Sequence, residues 1–239
     1  MKLTVNNLNK CYGDKVAVKD ISFEVNDGET IGILGPNGAG KTTLFYMIAG
    51  LIKCDSGEIS IADTQINDKS ISKRTELGLS YLPQESSIFR GLTVQENVLA
   101  ALQQNTSLDK EAMKSKMINL LSEFRLDSFS DTKGIKLSGG ERRRTEIARA
   151  LASDPKFILL DEPFAGIDPL AVTDLKKIIT KLNKKNIGVL ISDHNVRDTM
   201  NICNRVLIVN KGEIIADGHP AEISDDPLVK EVYLGENFS

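Results

Sequence analysis

The segment with the clearest capacity for chemistry is a glycine-rich loop near the N-terminus. Residues 35–42 read GPNGAGKT and match the phosphate-binding pattern G-x-x-x-x-G-K-[ST], between a predicted strand at 31–34 and a predicted helix at 41–49. Glycines let backbone N–H groups turn toward phosphate oxygens, the lysine can reach the β- and γ-phosphates, and the first threonine hydroxyl suits Mg²⁺. The predicted nucleotide-binding residues are Gly35, Pro36, Asn37, Gly38, Ala39, Gly40, Lys41, Thr42 and Thr43.

Two adjacent acids end a second apolar run. Residues 159–163 read LLDEP, which places Asp161 and Glu162 at the end of a predicted strand. One carboxylate can bind Mg²⁺ while the other polarises an attacking water. Alone, such a pair is equally typical of acids that cap the following segment. Together with the phosphate loop, it favours Asp161 as a metal ligand beside Thr42, and Glu162 as the catalytic base.

A third motif combines a helix start with two glycines. Residues 137–141 read LSGGE, and Ser138 with Glu141 three residues later forms a capping box. Glycine in a first helical turn costs roughly 0.5–1 kcal/mol against alanine, so a cap alone does not account for Gly139 and Gly140. Bare backbone at a helix N-terminus permits close approach of an anion.

A histidine follows another apolar run, in the stretch VLISDHNVRD. The chain has two histidines, and His194 stands where this predicted strand ends. From the residues alone, His194 could cap a short helix or contact a ligand, and capping is also expected of Ser192 or Asp193. The second histidine, His219, lies in the turn DGHP, where a surface position is expected.

The elements that must position these groups follow from periodicity. The first thirty residues alternate apolar and polar, which predicts antiparallel strands with turns at 12–14 and 26–28. Further strands are predicted at 29–34, 57–61, 79–82, 157–160, 187–192 and 205–209, and helices at 41–49, 94–103, 108–124, 139–152 and 169–185. Apolar strands that alternate with helices indicate an α/β fold with a parallel sheet, into which a helical block from about 89 to 155 is inserted.

Composition limits the classes of function. Hydrophobic residues make up 41% of the 239 and charged residues 26%, as in ordinary globular proteins. The net charge of −3 gives no basic excess for binding nucleic acid. No apolar run is long enough to span a membrane, the first ten residues do not resemble a secretory signal, and three widely spaced cysteines suit a reduced, cytoplasmic chain.

The motifs GPNGAGKTT, LSGGE and ILLDEP, in that order, make the chain resemble the ATP-binding subunits of ABC transporters over essentially its whole length. The resemblance implies a P-loop ATPase with a RecA-like, mainly parallel sheet core, an N-terminal antiparallel β subdomain and an inserted α-helical subdomain. It implies one domain over 1–239, in which 1–86 and 156–219 form the β subdomain and core, 87–155 the helical signature subdomain, and 220–239 a C-terminal tail. ATP and Mg²⁺ are the implied cofactors.

In that family two domains pack head to tail, with ATP between the phosphate loop of one and the signature of the other. The resemblance therefore implies a dimer of two copies, or of this chain with a paralogue. The residues that it places against the partner's ATP are Ser138, Gly139, Gly140 and Glu141. It implies adenine stacking by Tyr12, Mg²⁺ and permease sensing by Gln84, and a loop at the dimer interface around Asp168. His194 would touch the γ-phosphate and help place Glu162.

Longer strings resemble the branch of the family that powers lipopolysaccharide export, namely residues 83–97, 137–151, 161–169, 192–199 and 233–238. Glu141 stands where most members carry glutamine, which fits this branch. The resemblance implies a homodimeric ATPase on the cytoplasmic face of the inner membrane, driving two different integral permease subunits. The ATPases of branched-chain amino-acid uptake, and soluble ABC ATPases such as iron–sulfur assembly factors, remain alternatives.

Two further segments admit two interpretations each. Phe89 and Arg90 suit a docking groove for a cytoplasmic helix of a permease, and a hydrophobic anchor beside a solvated charge is the alternative. The basic run at 142–144 is interpreted as a solvated helix face with one arginine paired to a nearby carboxylate, in preference to a contact with lipid headgroups.

Overall fold

The computed structural model describes residues 1–104 and 108–235, and its strands form two sheets. In chain order the strands are β1 (Lys2–Tyr12), β2 (Lys15–Asn26), β3 (Thr30–Leu34), β4 (Ser56–Ile61), β5 (Thr64–Gln65), β6 (Leu79–Leu82), β7 (Phe157–Asp161), β8 (Gly188–Ser192), β9 (Arg205–Asn210) and β10 (Glu213–Gly218).

The smaller sheet is antiparallel and has the order β2-β1-β4-β5. A tight turn at 13–14 joins its two long strands, so that Leu3 lies opposite Val25 and Val5 opposite Phe23. These four side chains are buried, because alternate residues of a strand share one face. The apolar–polar alternation of the first thirty residues therefore fixes which face of the sheet covers the core.

The larger sheet has the order β10-β9-β3-β8-β7-β6. All of its neighbours are parallel except β10 and β9, which are antiparallel. Every residue of β3, β7 and β8 is buried. Strands that are covered on both faces read as continuous apolar runs, which is the pattern of these three segments.

Helices cover the larger sheet. They are α1 (Lys41–Ala49), α2 (Ile71–Glu76), α3 (Val94–Leu102), α4 (Lys110–Glu123), α5 (Gly139–Leu151), α6 (Pro169–Lys184), α7 (Val196–Met200), α8 (Pro220–Asp225) and α9 (Pro227–Val229). Three-residue 3₁₀ turns lie at Asp127–Phe129 and Gly134–Lys136, and a π-type turn at Lys230–Leu234. The block α3–α5 lies between β6 and β7 in sequence, yet these strands are paired, so the insertion leaves the sheet continuous.

The core lies on both faces of the larger sheet. Successive residues of β9 point in opposite directions, so Val206 and Ile208 join one apolar cluster while Leu207 and Val209 join the other. The first cluster packs α5 and α6 against the sheet and α3 and α4 against α5, and the second packs α1 and the antiparallel sheet. Burying both faces in this way is the main stabilisation of an α/β domain.

The predicted strands and helices are confirmed, with ends within two residues wherever bounds were predicted. The sequence missed β5, β10 and the short helices α2, α7, α8 and α9, because elements of two to six residues give little periodicity to detect. None of the described helices is long and apolar enough to cross a membrane. The subdomain boundaries stay a prediction. Residues 236–239 of the predicted tail lie outside the described residues, and so do the last three residues of the string 233–238.

Candidate nucleotide-binding and hydrolysis site

Four predicted site segments follow neighbouring parallel strands. In the larger sheet β3 pairs with β8, β8 with β7, and β7 with β6. The phosphate loop follows β3, Gln84 follows β6, Glu162 follows β7 and His194 follows β8. Parallel strands end at one edge of a sheet, and open α/β sheets bind their ligands outside that edge. The fold therefore brings the loop that begins at Gly35 close to His194, although the two are far apart in sequence.

The phosphate loop borders a cavity of about 280 Å³. Its lining comprises Tyr12, Lys15, Ala17, Asn37, Gly38, Ala39, Gly40, Lys41, Thr42, Thr43, Glu162 and His194. Gly40 has φ +110°, and a β-carbon there would lie 2.2 Å from the Ala17 carbonyl oxygen. Only glycine fits this position, which directly precedes α1 and brings the loop against β2.

Lys41 is held inside the loop that it serves. Its Nζ donates to the carbonyl oxygens of Gly35 at 2.7 Å and Pro36 at 3.0 Å, and the side chain is buried. Burial lowers the pKa of this ammonium, while Glu162 and Asp161 act in the opposite direction. A partly desolvated cation at the start of a helix is suited to phosphate oxygens, because removal from water strengthens its attraction to an anion.

The carboxylate of Glu162 is held from two sides. His194 Nε2 lies 2.7 Å from Oε1, and Gln84 Nε2 donates to Oε2 at 2.7 Å. The Glu162 backbone has φ +44°, a left-handed conformation that costs about 1–3 kcal/mol for a residue with a side chain. Its N–H donates to the Ser192 carbonyl at 2.6 Å. The side chain and the backbone are thus both fixed, which is the preorganisation that orienting a water molecule would require.

Asp161 is buried beside Glu162 and accepts a hydrogen bond from the Tyr81 hydroxyl at 3.2 Å. Burial raises the pKa of Asp161, and the bond from Tyr81 opposes that shift. Desolvation likewise raises the pKa of Tyr81 well above its usual value, which keeps the hydroxyl protonated as a donor. Sequence reasoning missed Tyr81, although it is the penultimate residue of β6 and pairs with Leu159 of β7.

The donors near this edge suit Mg²⁺ chemically. Thr42 offers a hydroxyl and Asp161 a carboxylate, and Gln84 uses its amide nitrogen on Glu162, which leaves its carbonyl oxygen for a cation. Hard dications prefer oxygen ligands of this kind. Residues 1–104 and 108–235 contain no cluster of three His, Cys, Asp or Glu that could hold a metal ion. A magnesium site completed by nucleotide phosphates needs no such cluster, so the donor set fits.

The predicted signature segment starts α5. Ser138 Oγ accepts from the Glu141 N–H, and Glu141 Oε2 accepts from the Ser138 N–H at 2.8 Å, so the capping box is confirmed. None of residues 138–141 lines the phosphate-loop cavity of the same chain. Gly139 instead lines a second cavity of about 200 Å³ that also includes Gln84 and Glu162.

Packing within the chain accounts for one signature glycine. A β-carbon on Gly140 would lie 2.9 Å from the β-carbon of Ala171 in α6, whereas one on Gly139 would make only ordinary contacts. That both glycines leave room for an anion stays a prediction, but at Gly140 there is a second reason for glycine. There the close approach of two helices already excludes a side chain, so an anion is not required to explain it.

Other predicted site residues lie at the rim. Tyr12 is half-exposed at the mouth of the cavity, with Lys10 Nζ 5.6 Å from the ring centroid. Asp168 caps α6, since its Oδ1 accepts from the Ala171 N–H at 2.9 Å. The Phe89 ring is half-exposed and lies under the Arg149 guanidinium, 4.6 Å from its centroid, and Arg90 beside it is exposed.

The capping alternative for His194 is excluded, and the interpretation of the arginine run is only partly right. His194 does not cap a helix, because α7 begins at Val196 and its cap is Asn195, whose side chain accepts from the Asp198 N–H. The run at 142–144 is not a solvated face throughout, because Arg143 is buried and pairs with Glu146 at 3.1 Å. The expected carboxylate partner is confirmed, but exposure is not. His219 lies at the surface, as expected, and caps α8.

Family models match two stretches of the chain. The model described as "ABC transporter" matches residues 18–165. A second, described as "Branched-chain amino acid ATP-binding cassette transporter", matches residues 213–239. The first match contains the phosphate loop, the LSGGE motif and the acid pair, and the second contains none of them.

Relatives with high identity span the whole chain. The "Lipopolysaccharide export system ATP-binding protein LptB" of Haemophilus influenzae is 52% identical over 236 residues, which cover 99% of this chain and 98% of that protein. The protein of the same name from Escherichia coli K12 has the same identity and coverage. Both alignments include every residue that the motifs single out.

Solved structures of ATP-binding cassettes have the same fold. The ADP conformation of MJ1267, described as an ATP-binding cassette of an ABC transporter, superposes with a TM-score of 0.87 at 30% identity, covering 99% of this chain and 100% of that one. A dimeric post-hydrolysis structure of the cassette MJ0796, bound to ADP and phosphate, gives 0.80 at 27% identity, with coverages of 91% and 98%.

Proposed function

Since the chain belongs to the ABC transporter family of ATP-binding subunits, we propose that it is the ATPase of a lipopolysaccharide export system. The observation that carries the proposal is the 52% identity over 99% of the chain to two proteins named for that system. Within the family, ATP hydrolysis powers transport, so the enzyme is an ATPase and translocase. The proposed location is the cytoplasmic face of the inner membrane, as a peripheral subunit.

In the proposed reaction ATP places its phosphates against the backbone N–H groups of residues 35–43 and the ammonium of Lys41. Glu162 accepts a hydrogen bond from the attacking water and draws its proton away as the water meets the γ-phosphate. His194 and Gln84, each 2.7 Å from one Glu162 oxygen, keep the carboxylate in one orientation. Fixed donors then stabilise the charge that develops without reorganising.

Thr42, Asp161 and the side-chain oxygen of Gln84 are the residues proposed to hold Mg²⁺. When bound, Mg²⁺ supplies positive charge to the β- and γ-phosphate oxygens. The hydroxyl of Tyr81, through its bond to Asp161, orients that carboxylate and satisfies one of its oxygens in a buried setting.

The proposed active form is a head-to-tail homodimer. Ser138, Gly139, Gly140 and Glu141 are proposed to face the ATP of the partner protomer, and Tyr12 is proposed to stack on adenine. The location of the signature outside the phosphate-loop cavity of its own chain supports this, because the segment then has a surface left for another copy. Asp168 is proposed to lie in the loop that crosses the interface, where its capping bond fixes the start of α6.

Phe89 and Arg90 are proposed to receive a cytoplasmic helix from each of two integral inner-membrane permease subunits. The half-exposed ring of Phe89 supports this, because a large apolar group that remains open to water is suited to a partner. Arg149 stacks on the same ring and donates to the Ser87 carbonyl at 2.6 Å, so the ring rests on a fixed support.

The ATPase of a branched-chain amino-acid uptake transporter is the second candidate. The observation in its favour is the family match over residues 213–239. That stretch follows every motif of the reaction, so it bears on the type of transporter and not on the chemistry. A soluble iron–sulfur assembly ATPase has no such observation in its favour.

Affinity purification of the chain from detergent-solubilised membranes, followed by mass identification, tests the choice of transporter. Two different permeases and a fall in surface lipopolysaccharide on depletion are the expected results. Permeases of the amino-acid uptake type would overturn the cargo while retaining the ATPase, and the absence of any membrane partner would overturn the transport role.

The Glu162→Gln variant tests the chemistry, with Glu85→Gln as a control because Glu85 is an exposed acid beside Gln84. We expect Glu162→Gln to bind ATP, to lose on the order of 100-fold or more in turnover, and to accumulate as a closed dimer on size exclusion. Glu85→Gln should hydrolyse ATP normally. Normal turnover by Glu162→Gln would remove that residue from its proposed role.

A further inference from the structure

Asp193 is a buried carboxylate that has no part in the reaction as proposed above. Only 3% of its surface is exposed, and both of its oxygens accept backbone hydrogen bonds. Oδ2 accepts from the Phe164 N–H at 2.9 Å, and Oδ1 accepts from the Asn195 N–H at 2.7 Å. Phe164 lies two residues after Glu162, and Asn195 directly follows His194. One side chain thus joins the two loops that carry these residues.

The contacts between the loops follow a regular order. The Ser192 carbonyl accepts from the Glu162 N–H at 2.6 Å, the Asp193 carboxylate accepts from the Phe164 N–H, and the His194 ring lies against the Glu162 carboxylate. The last residue of β8 and the two residues after it therefore hold the three-residue segment that begins at Glu162. The Ser192 contact is made by a backbone carbonyl, and the His194 contact by a ring that is itself proposed to act at the phosphate. The Asp193 contact is made by a side chain that has no proposed contact with the water or the phosphate.

Each bond from Asp193 fixes a different catalytic group. The bond to Phe164 holds the chain beyond Glu162, whose backbone is in the left-handed conformation at φ +44° and needs support from its surroundings to stay there. The bond to Asn195 closes a turn of the chain around His194, a local bond of the kind that short acidic side chains make two residues ahead. This turn sets the direction in which the imidazole leaves the backbone.

Burial also argues for a purpose beyond capping. Burial raises the pKa of Asp193, which is a cost of keeping a carboxylate there, and the two N–H donors offset it. The helix that follows, α7, already has its own cap in Asn195. A second capping side chain at this position is therefore not needed to start the helix.

We propose that Asp193 is a positioning residue, which keeps Glu162 and His194 in register by bonding the backbone of both loops at once. The proposal rests on the proposed roles of Glu162 and His194. Because Asp193 acts through them, its loss should slow hydrolysis without weakening the hold of the phosphate loop on ATP.

The test compares Asp193→Asn with Asp198→Asn in the purified full-length chain. Asparagine keeps one acceptor oxygen and turns an NH₂ group toward the second N–H donor, so one of the two loops must shift. Asp198 is the matched control, since it lies five residues further along, is partly buried and pairs with Lys176 at 2.5 Å. Asp193→Ala, which removes both acceptors, extends the series.

We expect Asp193→Asn to lower the kcat of ATP hydrolysis on the order of 10- to 100-fold, the usual effect of a small misplacement of catalytic groups. The KM and the binding constant for ATP should stay within about three-fold. Asp193→Ala should be slower again, and Asp198→Asn should keep its turnover per folded molecule within about two-fold. A kcat for Asp193→Asn within two-fold of wild type would overturn the proposal.

A double variant separates positioning from general damage to the fold. In single-turnover experiments with excess enzyme, adding Asp193→Asn to Glu162→Gln should slow hydrolysis further by less than about two-fold, because residues that act as a unit are not additive. An equal additional loss in both backgrounds, or a variant that lost folded protein but kept its turnover per molecule, would mean that Asp193 only stabilises the fold. Failure of Glu162→Gln to slow turnover would instead refute the proposed mechanism, whatever Asp193→Asn does.

Discussion

The buried ion pair between Arg143 and Glu146 allows a quantitative prediction, because an exposed pair of the same spacing lies elsewhere in the chain. The Arg143 and Glu146 side chains are 9% and 3% exposed, and their charged atoms are 3.1 Å apart. The matching pair, Lys73 and Glu76, is also three residues apart at 2.6 Å, but 54% and 60% exposed. The spacing and the acid are the same, whereas the burial differs greatly and the cation is arginine in one pair and lysine in the other.

The Glu146→Ala change leaves the Arg143 guanidinium buried without its carboxylate. Within the described ranges 1–104 and 108–235, Nε and Nη2 of this arginine have no hydrogen-bond partner even before the change, and Nη1 would keep only the Pro83 carbonyl at 3.1 Å. Removing one partner of a buried pair costs about 3–5 kcal/mol, since the remaining charge stays desolvated. Glu146 also accepts from the Ser86 hydroxyl at 2.7 Å and the Ser87 N–H at 2.9 Å, and because both serines are exposed, water can partly replace these two bonds.

We therefore expect Glu146→Ala to lower the free energy of unfolding by about 3–5 kcal/mol, measured by urea denaturation. The exposed control, Glu76→Ala, should lose no more than about 1 kcal/mol. The double variant Arg143→Met with Glu146→Leu should recover most of the loss, because apolar groups of similar volume replace a buried pair well. Equal losses for Glu146→Ala and Glu76→Ala would refute the reasoning that burial, and not spacing, decides the effect.

The pair also has a consequence for hydrolysis. Arg143 bonds the carbonyl of Pro83, and Glu146 bonds the Ser86 hydroxyl and the Ser87 N–H. These contacts hold the loop on both sides of Gln84 against α5, the helix that begins with the signature. Glu146→Ala should therefore make Gln84 more mobile. The kcat should then fall by more than the loss of folded protein accounts for.

Three more outcomes are expected. His194→Ala should lower kcat by about 100-fold or more while ATP affinity is retained, as judged by equilibrium binding and turnover; retained turnover per folded molecule would exclude a catalytic role. Gly40→Ala should abolish ATP binding or folding, because the new β-carbon would meet the Ala17 carbonyl oxygen at 2.2 Å, and near-normal binding would refute this. Burial raises the pKa of Cys203 to about 12, so that this thiol stays protonated below this pH. Cys203 should therefore react with a thiol reagent only on unfolding, whereas the exposed Cys11 should react at pH 8 in the native protein.

The sequence predicted those parts of the site that lie in one continuous segment. The loop at 35–43 combines strand, glycines, lysine and helix in a few residues, so its conformation and its position in the fold could both be predicted. The strand before Glu162 is five consecutive buried residues, a pattern that appears in the letters themselves. In each case local backbone requirements and the chemistry point to the same residues.

Pairings between distant residues could not be predicted in that way. Nothing near Gln84 indicates that its amide meets Glu162, 78 positions later, and nothing near Phe89 indicates that Arg149 covers its ring. The burial of Arg143 was missed for a related reason, because three consecutive arginines look solvated until the loop at Pro83 is placed over one of them. Such contacts depend on how β6 and α5 lie relative to each other in the fold. The hydrophobic periodicity of each element alone does not predict that arrangement.

The close packing at Gly140 adds a constraint on how the proposed dimer works. A β-carbon there would lie 2.9 Å from Ala171, and Asp168 caps the same end of α6 by accepting from the Ala171 N–H. The signature end of α5 and the Asp168 end of α6 are therefore closely packed at one point, where Gly140 lies against the methyl group of Ala171. A close-packed contact of this kind shifts as a unit and does not slide by small amounts. If the signature engages the partner's ATP, the segment at Asp168 must move with it, so that the interface closes at both places in one step.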